Sequence, residues 1–253
     1  MISRPRLQTQ GPVLAALAEV KGLAHTYGPA EQATVALRSV DLELSAGEQL
    51  AVMGRSGSGK TTLLNILAGL EIPVTGRVMV AGYDLARLRS RDREDYRRRV
   101  IGYVWQQPEA GLLRGLTVLQ NVLLPMLGEG GTRRERLDAA LALLDSMRMG
   151  DRLQQRLPQL APVETQRLAI AVALANPPQL LLADELTARL EWAAARELLG
   201  DLEALLGRIG AAAILVTHDP RVGRYVDRAV LIRDGVATSA PEELLASGWG
   251  RWQ

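Results

Sequence analysis

The chain has 253 residues, 47% hydrophobic and 23% charged, with a formal net charge of +2. That is enough chain for one large domain or two small ones with a real core, and it excludes a fibrous, disordered or strongly polyelectrolyte protein. Cysteine is absent, which excludes disulfides and thiolate metal sites.

Residues 1–16 are polar, with Pro5 and Pro12, and read as a loose tail. The apolar stretch "VLAALAEV" from Val13 is short and broken by Glu19, so a cleaved signal peptide is not expected. No run reaches the roughly 20 apolar residues of a membrane span, so any membrane role is expected to come through a partner. Strand-type runs follow: "VALRSVDLEL" from Val35, "EQLAVM" from Glu48, "GRVMVAG" from Gly76 and "VIGYVW" from Val100. Later come "QLLLAD" from Gln179, "AAAILVT" from Ala211 and "RAVLIRDG" from Arg228. The continuously apolar ones suit strands covered on both faces. Between them, Leu137, Ala140, Leu141, Leu144 and Met147 make one helical stripe. Leu198, Leu202, Leu205 and Ile209 make another. Alternating strands and helices predict an α/β fold with a mainly parallel core sheet. The strands before Ala81, with few helices between them, predict a separate antiparallel layer.

The segment "GRSGSGKTT", Gly54 to Thr62, carries the strongest chemistry. It fits G-x-x-x-x-G-K-[ST], with the apolar strand Leu50 to Met53 before it and the helical run "TTLLNILAGL" after it. Gly54, Gly57 and Gly59, with Ser56 and Ser58 between them, let backbone N–H groups turn inward around an anion. The helix start that Thr61 and Thr62 open adds partial positive charge. Lys60 supplies a point charge for the β and γ phosphates, and Thr61 a hydroxyl for Mg²⁺. Of 30 basic residues only Lys21 and Lys60 are lysines, a bias expected of a GC-rich genome, which makes the Lys at this position stand out. Farther on, "LLLADE" ends an apolar strand in Asp184 and Glu185. Two adjacent carboxylates there need a compensating cation. Asp184 is expected to hold the metal, and Glu185 to orient or deprotonate an attacking water.

With these motifs in this order, the chain resembles the ATP-binding subunit of an ABC transporter over residues 17–236. The resemblance implies a P-loop ATPase of the ABC type using ATP and Mg²⁺. It implies a core with β layer over 17–106 and 177–236, a helical subdomain over about 107–176, and a tail over 237–253 holding Trp249 and Trp252. Tyr27 in "HTYG" resembles the aromatic that stacks on adenine. Gln106 in "YVWQQ" resembles the glutamine that reaches the metal and the membrane subunit, and His218 in "LVTHDP" the switch histidine on the γ-phosphate. "RRRVIGYVWQ" followed by "GLTVLQNVLLPML" is similar to the lipoprotein-release, macrolide-export and bacitracin-resistance branch. That implies a location at the cytoplasmic face of a bacterial membrane, peripheral through an integral membrane subunit. Soluble ABC ATPases that act on nucleic acid or ribosomes usually carry long insertions or two ATPase domains, neither of which is present, so no nucleic-acid partner is expected.

One segment departs from the family. The signature LSGGQ is replaced by Leu160-Ala161-Pro162-Val163-Glu164, although the helix "TQRLAIAVALANPP" follows as usual. In the family this signature caps the ATP held by the opposite subunit. Ala161 has no hydroxyl, Pro162 no N–H, and Val163 adds a β-branched side chain where backbone approaches phosphate. The neighbouring "DEPTGNLD" reads "DELTARLE", so Leu186, Arg189 and the Leu190–Glu191 D-loop also differ. The residues serving the chain's own nucleotide are retained and those offered to a partner are altered. That pattern predicts pairing with a second, non-identical ATPase bearing an intact signature. A homodimer that tolerates the variant, and an ATP sensor that closes without turnover, are the alternatives.

Overall fold

The computed structural model describes residues 16–29, 33–128 and 130–240. The tail ends, with Trp249 and Trp252, lie outside the described residues. A ten-stranded sheet organises the described residues, running from Tyr83–Asp84 at one edge to Ile101–Val104 at the other.

Its parallel half contains β3 (Gln49–Met53), β6 (Ile101–Val104), β7 (Leu180–Asp184), β8 (Ala212–Thr217) and β9 (Arg228–Arg233). Strands β7 and β8 are buried along their whole length. Their unbroken apolar runs are what a strand covered on both faces requires. The antiparallel half contains β1 (Ala18–Tyr27), β2 (Thr34–Leu44), β4 (Thr75–Val80) and the short β5 (Tyr83–Asp84). Strand β10 (Val236–Ser239) joins the halves, antiparallel to β9 and parallel to β2. It begins at the last residue expected of the domain and runs into the segment read as tail. Strand β1 has no counterpart among the runs read from sequence. Its alternation is interrupted by register shifts around Lys21–Gly22, so its buried residues do not keep period two.

Helix α1 (Lys60–Leu67) follows β3, and α2 (Ser90–Val100) precedes β6. Helix α2 is charged almost throughout and shows no apolar stripe. It docks through the fully buried Tyr96, whose hydroxyl donates to the Leu67 carbonyl at 2.5 Å. Helices α3 (Val118–Met126), α4 (Arg133–Ser146) and α5 (Pro162–Ala173) occupy the span expected to be helical. Thr117 and Thr132 start α3 and α4 with reciprocal capping boxes to Gln120 and Glu135. Helix α6 (Trp192–Ile209) buries Leu198, Leu202 and Leu205 as its stripe predicts. Ile209 was expected in that stripe and is 38% exposed, because α6 ends there on Gly210 in the left-handed region (φ 69°). Among the described residues two large apolar cores result, with a small third cluster of Ala51, Met53 and Ala229. One joins α3, α4, α5 and α6 to the sheet, and the other packs α1 and α2 on its opposite face.

Candidate functional site

The C-terminal ends of β3, β7 and β8 open together onto one cleft, where open α/β sheets place their ligands. Its volume is about 1180 Å³. Met53 hands the chain from β3 to the glycine loop, and the loop hands it to α1. A Cβ on Gly54 would lie 2.3 Å from the Ile232 carbonyl oxygen. One on Gly59 would lie 2.4 Å from the Ala36 carbonyl oxygen, at φ 101°. Only glycine fits at either position. Gly59 caps α1 without a side-chain acceptor, and the first turn carries no acid, so the helix N–H groups stay available to an anion.

Lys60 is buried and folds back, donating to the Gly54 carbonyl at 2.9 Å and the Arg55 carbonyl at 2.8 Å. An ammonium has three protons, so one is left for a phosphate. Burial pushes its pKa down, opposed by the charges of Glu185 and Asp184. Across the cleft, Thr61 donates its hydroxyl to Asp184 Oδ2 at 2.9 Å. Asp184 Oδ1 is buried without a partner. Burial raises the Asp184 pKa, the Thr61 hydrogen bond opposes this, and the charge of Glu185 adds to it. A carboxylate with one orphaned oxygen beside a hydroxyl fits Mg²⁺, which takes few protein ligands and completes its shell with water and phosphate oxygens.

Glu185 sits in the left-handed region at φ 50°. For a residue with a Cβ this costs about 1–2 kcal/mol. Its N–H donates to the Val216 carbonyl at 2.9 Å, and its own carbonyl closes a turn with the Ala188 N–H at 3.1 Å. The sharp bend sets the carboxylate against His218, whose Nδ1 lies 2.8 Å from Glu185 Oε2. Tyr27 ends β1 at the rim, 42% exposed, with its hydroxyl 2.6 Å from Glu71 Oε2 and 3.2 Å from Thr62 Oγ1. Burial and Glu71 raise its pKa, so the hydroxyl stays protonated and donates. Exposed Gln106 lines the same cleft just past β6.

The cleft therefore gathers Tyr27, Gly54, Ser56, Gly57, Gly59, Lys60, Thr61, Thr62, Gln106, Asp184, Glu185 and His218. Ser58 does not line it. Its N–H turns back to the Arg55 carbonyl at 3.2 Å, which buries its hydroxyl inside the loop.

Comparison with known proteins agrees with this geometry. The family model described as ABC transporter matches residues 37–188, more than half of the chain. The chain belongs to the ABC transporter family. It is 37% identical over 221 residues to the lipoprotein-releasing system ATP-binding protein LolD of Shewanella frigidimarina, covering 87% of this chain and 92% of that protein. It is 39% identical over 220 residues to the macrolide export ATP-binding/permease protein MacB of Rhodopirellula baltica, covering 86% of this chain. There it spans only 32% of the relative's length. Among solved structures it matches the dimeric bacterial ABC transporter cassette MJ0796 with a TM-score of 0.79 and 33% identity, covering 88% of this chain and 98% of that one. That cassette is also known in a post-hydrolysis state with ADP and Pi. The chain is thus an ABC-type ATP-binding subunit and ATPase.

The segment expected to be the signature lies away from the cleft. Leu160 to Glu164 line none of it, and neither do Leu190 and Glu191. Ala161 and Pro162 are exposed at the start of α5, where Ala161 caps the helix without a side-chain hydrogen bond. Glu164 serves the N–H of the cap residue itself, and no side chain of that residue accepts from the first turn. Glu164 Oε2 accepts the Ala161 N–H at 2.8 Å, and its Oε1 pairs with Arg152 Nε at 2.7 Å. Glu191 starts α6, again without a side-chain cap. Arg189 reaches Glu109 only loosely, at 3.8 Å. Sequence reasoning missed the support behind the site. Glu71 carries no motif, and Arg221 lies in the cleft held by Asp219 and stacked 4.1 Å over the Trp192 ring.

Proposed function

We propose that this chain powers a membrane transporter or mechanotransmission complex by hydrolysing ATP at its cytoplasmic face, paired with a second ATPase chain that bears an intact signature. The single observation behind the pairing is the split between a complete nucleotide side and a signature end without hydroxyl or glycine N–H donors. Among the described residues no helix is long and apolar enough to cross a membrane. In this reading attachment runs through a membrane subunit. The permease function in the name of the MacB relatives supports such a partner.

In this reading the adenine stacks on Tyr27, and the β and γ phosphates sit on the loop N–H groups, the α1 N-terminus and Lys60. Thr61 and Asp184, with Gln106, would hold Mg²⁺, which would supply positive charge to offset that of the phosphates. Glu185 leaves His218 to accept a proton from the attacking water, and His218 turns to the γ-phosphate. The test is ATP turnover by the purified chain, with Glu185→Gln as control and particle size measured with and without ATP. ATP binding with little turnover and no ATP-driven self-dimer is expected. Rapid Glu185-dependent turnover by a self-dimer would show that the variant signature serves as a cap, and the homodimer reading would replace this one.

A further inference from the structure

Behind the Tyr27 ring lies a set of polar contacts that the phosphate chemistry does not need. Glu71 follows the end of α1, and its backbone N–H is tied to the Asn65 carbonyl at 3.2 Å. Its side chain is held from three sides. Oε1 accepts from Asn65 Nδ2 at 2.8 Å, while Oε2 receives the Tyr27 hydroxyl at 2.6 Å and lies 3.2 Å from His25 Nε2. Asn65 Oδ1 in turn accepts the Tyr103 hydroxyl at 3.2 Å. His25, two residues before Tyr27 on the same face of β1, packs its ring edge-on to the Tyr27 ring at 4.8 Å. The Tyr27 ring is fixed at its edge and at its hydroxyl, and its remaining surface is open to the cleft.

We infer that Glu71 is a positioning residue for the nucleotide base. It acts through the Tyr27 hydroxyl, setting the ring angle on which the base stacks. The inference rests on the reading of Tyr27 as the base platform. A ring free to turn about its two side-chain torsions must be ordered when the base binds, and a ring already pinned loses less entropy at that step. The charge-assisted hydrogen bond to Glu71 is the strongest tie available for the purpose, because an ionised acceptor roughly doubles a hydrogen bond.

The test compares ATP with inorganic tripolyphosphate, both with Mg²⁺, by calorimetric titration of the full chain. Tripolyphosphate has no base. Tyr27→Phe removes one oxygen, and Glu71→Ala removes the acceptor. Each is expected to weaken ATP about three- to tenfold and to leave tripolyphosphate within about twofold. The losses in the double variant should be far from additive, since both changes break the Tyr27–Glu71 link. Glu71→Gln, which keeps one accepting oxygen but loses the charge, should fall between wild type and Glu71→Ala. Equal losses for both ligands would mean that Glu71 only braces α1, and would overturn the inference. So would wild-type ATP affinity in Tyr27→Phe. Tyr27→Ala separates the two layers. If it weakens ATP while Tyr27→Phe does not, the platform stands and the role of Glu71 falls. If it changes nothing, the platform itself falls, and the inference with it.

Discussion

The cleft and the start of α5 are both built to present helix N–H groups, yet they are finished differently. At α1 the approach is glycine, the N-terminal turn carries no acid, and a buried lysine stands ready beside it. At α5 the approach is Ala161 and Pro162, and the turn carries its own Glu164, held by Arg152. One end is left open to an outside anion. The other lacks the hydroxyl and the close backbone approach that a neighbour's phosphate would need. In the proposed reading, the cassette keeps its own nucleotide chemistry while giving up what it offers across a dimer.

The largest effect should come from the open end. Glu185→Gln removes the group proposed to take the proton from water and is expected to lower turnover by about 10²–10⁴-fold, measured with the working partner present. ATP affinity should stay within a few-fold, since Lys60, Thr61 and the loop are untouched. A small loss of turnover would break the assignment of the cleft as the hydrolytic side.

The next test acts on the closed end. Ala161→Ser, Pro162→Gly and Val163→Gly together restore a hydroxyl, an N–H and room for backbone approach. If those losses disable the cap, the triple variant alone should gain ATP-driven self-dimerisation and at least about tenfold in turnover, on the order of one charge-assisted hydrogen bond. Arg152 and Glu164 stay in place, so the helix start keeps its local cap. No gain would mean that the altered D-loop, with Arg189 and Glu191, also limits closure, and the contrast would extend beyond α5.

The contrast also decides what was legible in the sequence. Glycine spacing, one lysine and an acid pair at the end of an apolar run are local patterns, and all of them arrive in one cleft because β3 and β7 run parallel on either side of β8 and end together. Strands β7 and β8 were legible because burial on both faces leaves an unbroken apolar run. Strand β1 was not, because its bulges break the period, and α2 was not, because it is anchored by Tyr96 rather than by a stripe. Glu71 was invisible for a different reason. Its role depends on contacts with residues 44, 6 and 46 positions away in the chain, and no spacing rule reaches across them.

The smallest effects should come from two carboxylates, one in each region, and they should have opposite signs. Asp184 has its pKa raised by burial from the usual 3.8, so the folded chain holds that proton longer than the unfolded chain does. Stability without ligand therefore falls as pH rises from about 4 through the raised value. Glu164 has its pKa lowered from the usual 4.5, mainly by Arg152 and partly by the Ala161 N–H, with burial opposing. Its contribution is present above the usual value and is lost as pH falls through the lowered one. At neutral pH, Asp184→Asn should stabilise the ligand-free chain by about 1 kcal/mol, because a buried charge with one unpaired oxygen is removed. For a chain of this size that is roughly 2–4 °C in Tm. The same variant should abolish the stabilisation that MgATP adds. Glu164→Gln should destabilise by at most about 0.5–1 kcal/mol, since Arg152 is partly solvated and screening limits the pair. That loss should fade as the pH is lowered below about 4, where the wild-type carboxylate is itself being protonated. Melting curves of both variants across pH check the pair of signs. Two losses of the same sign would mean that Asp184 is compensated within the chain itself, leaving no cation for its orphaned oxygen to await.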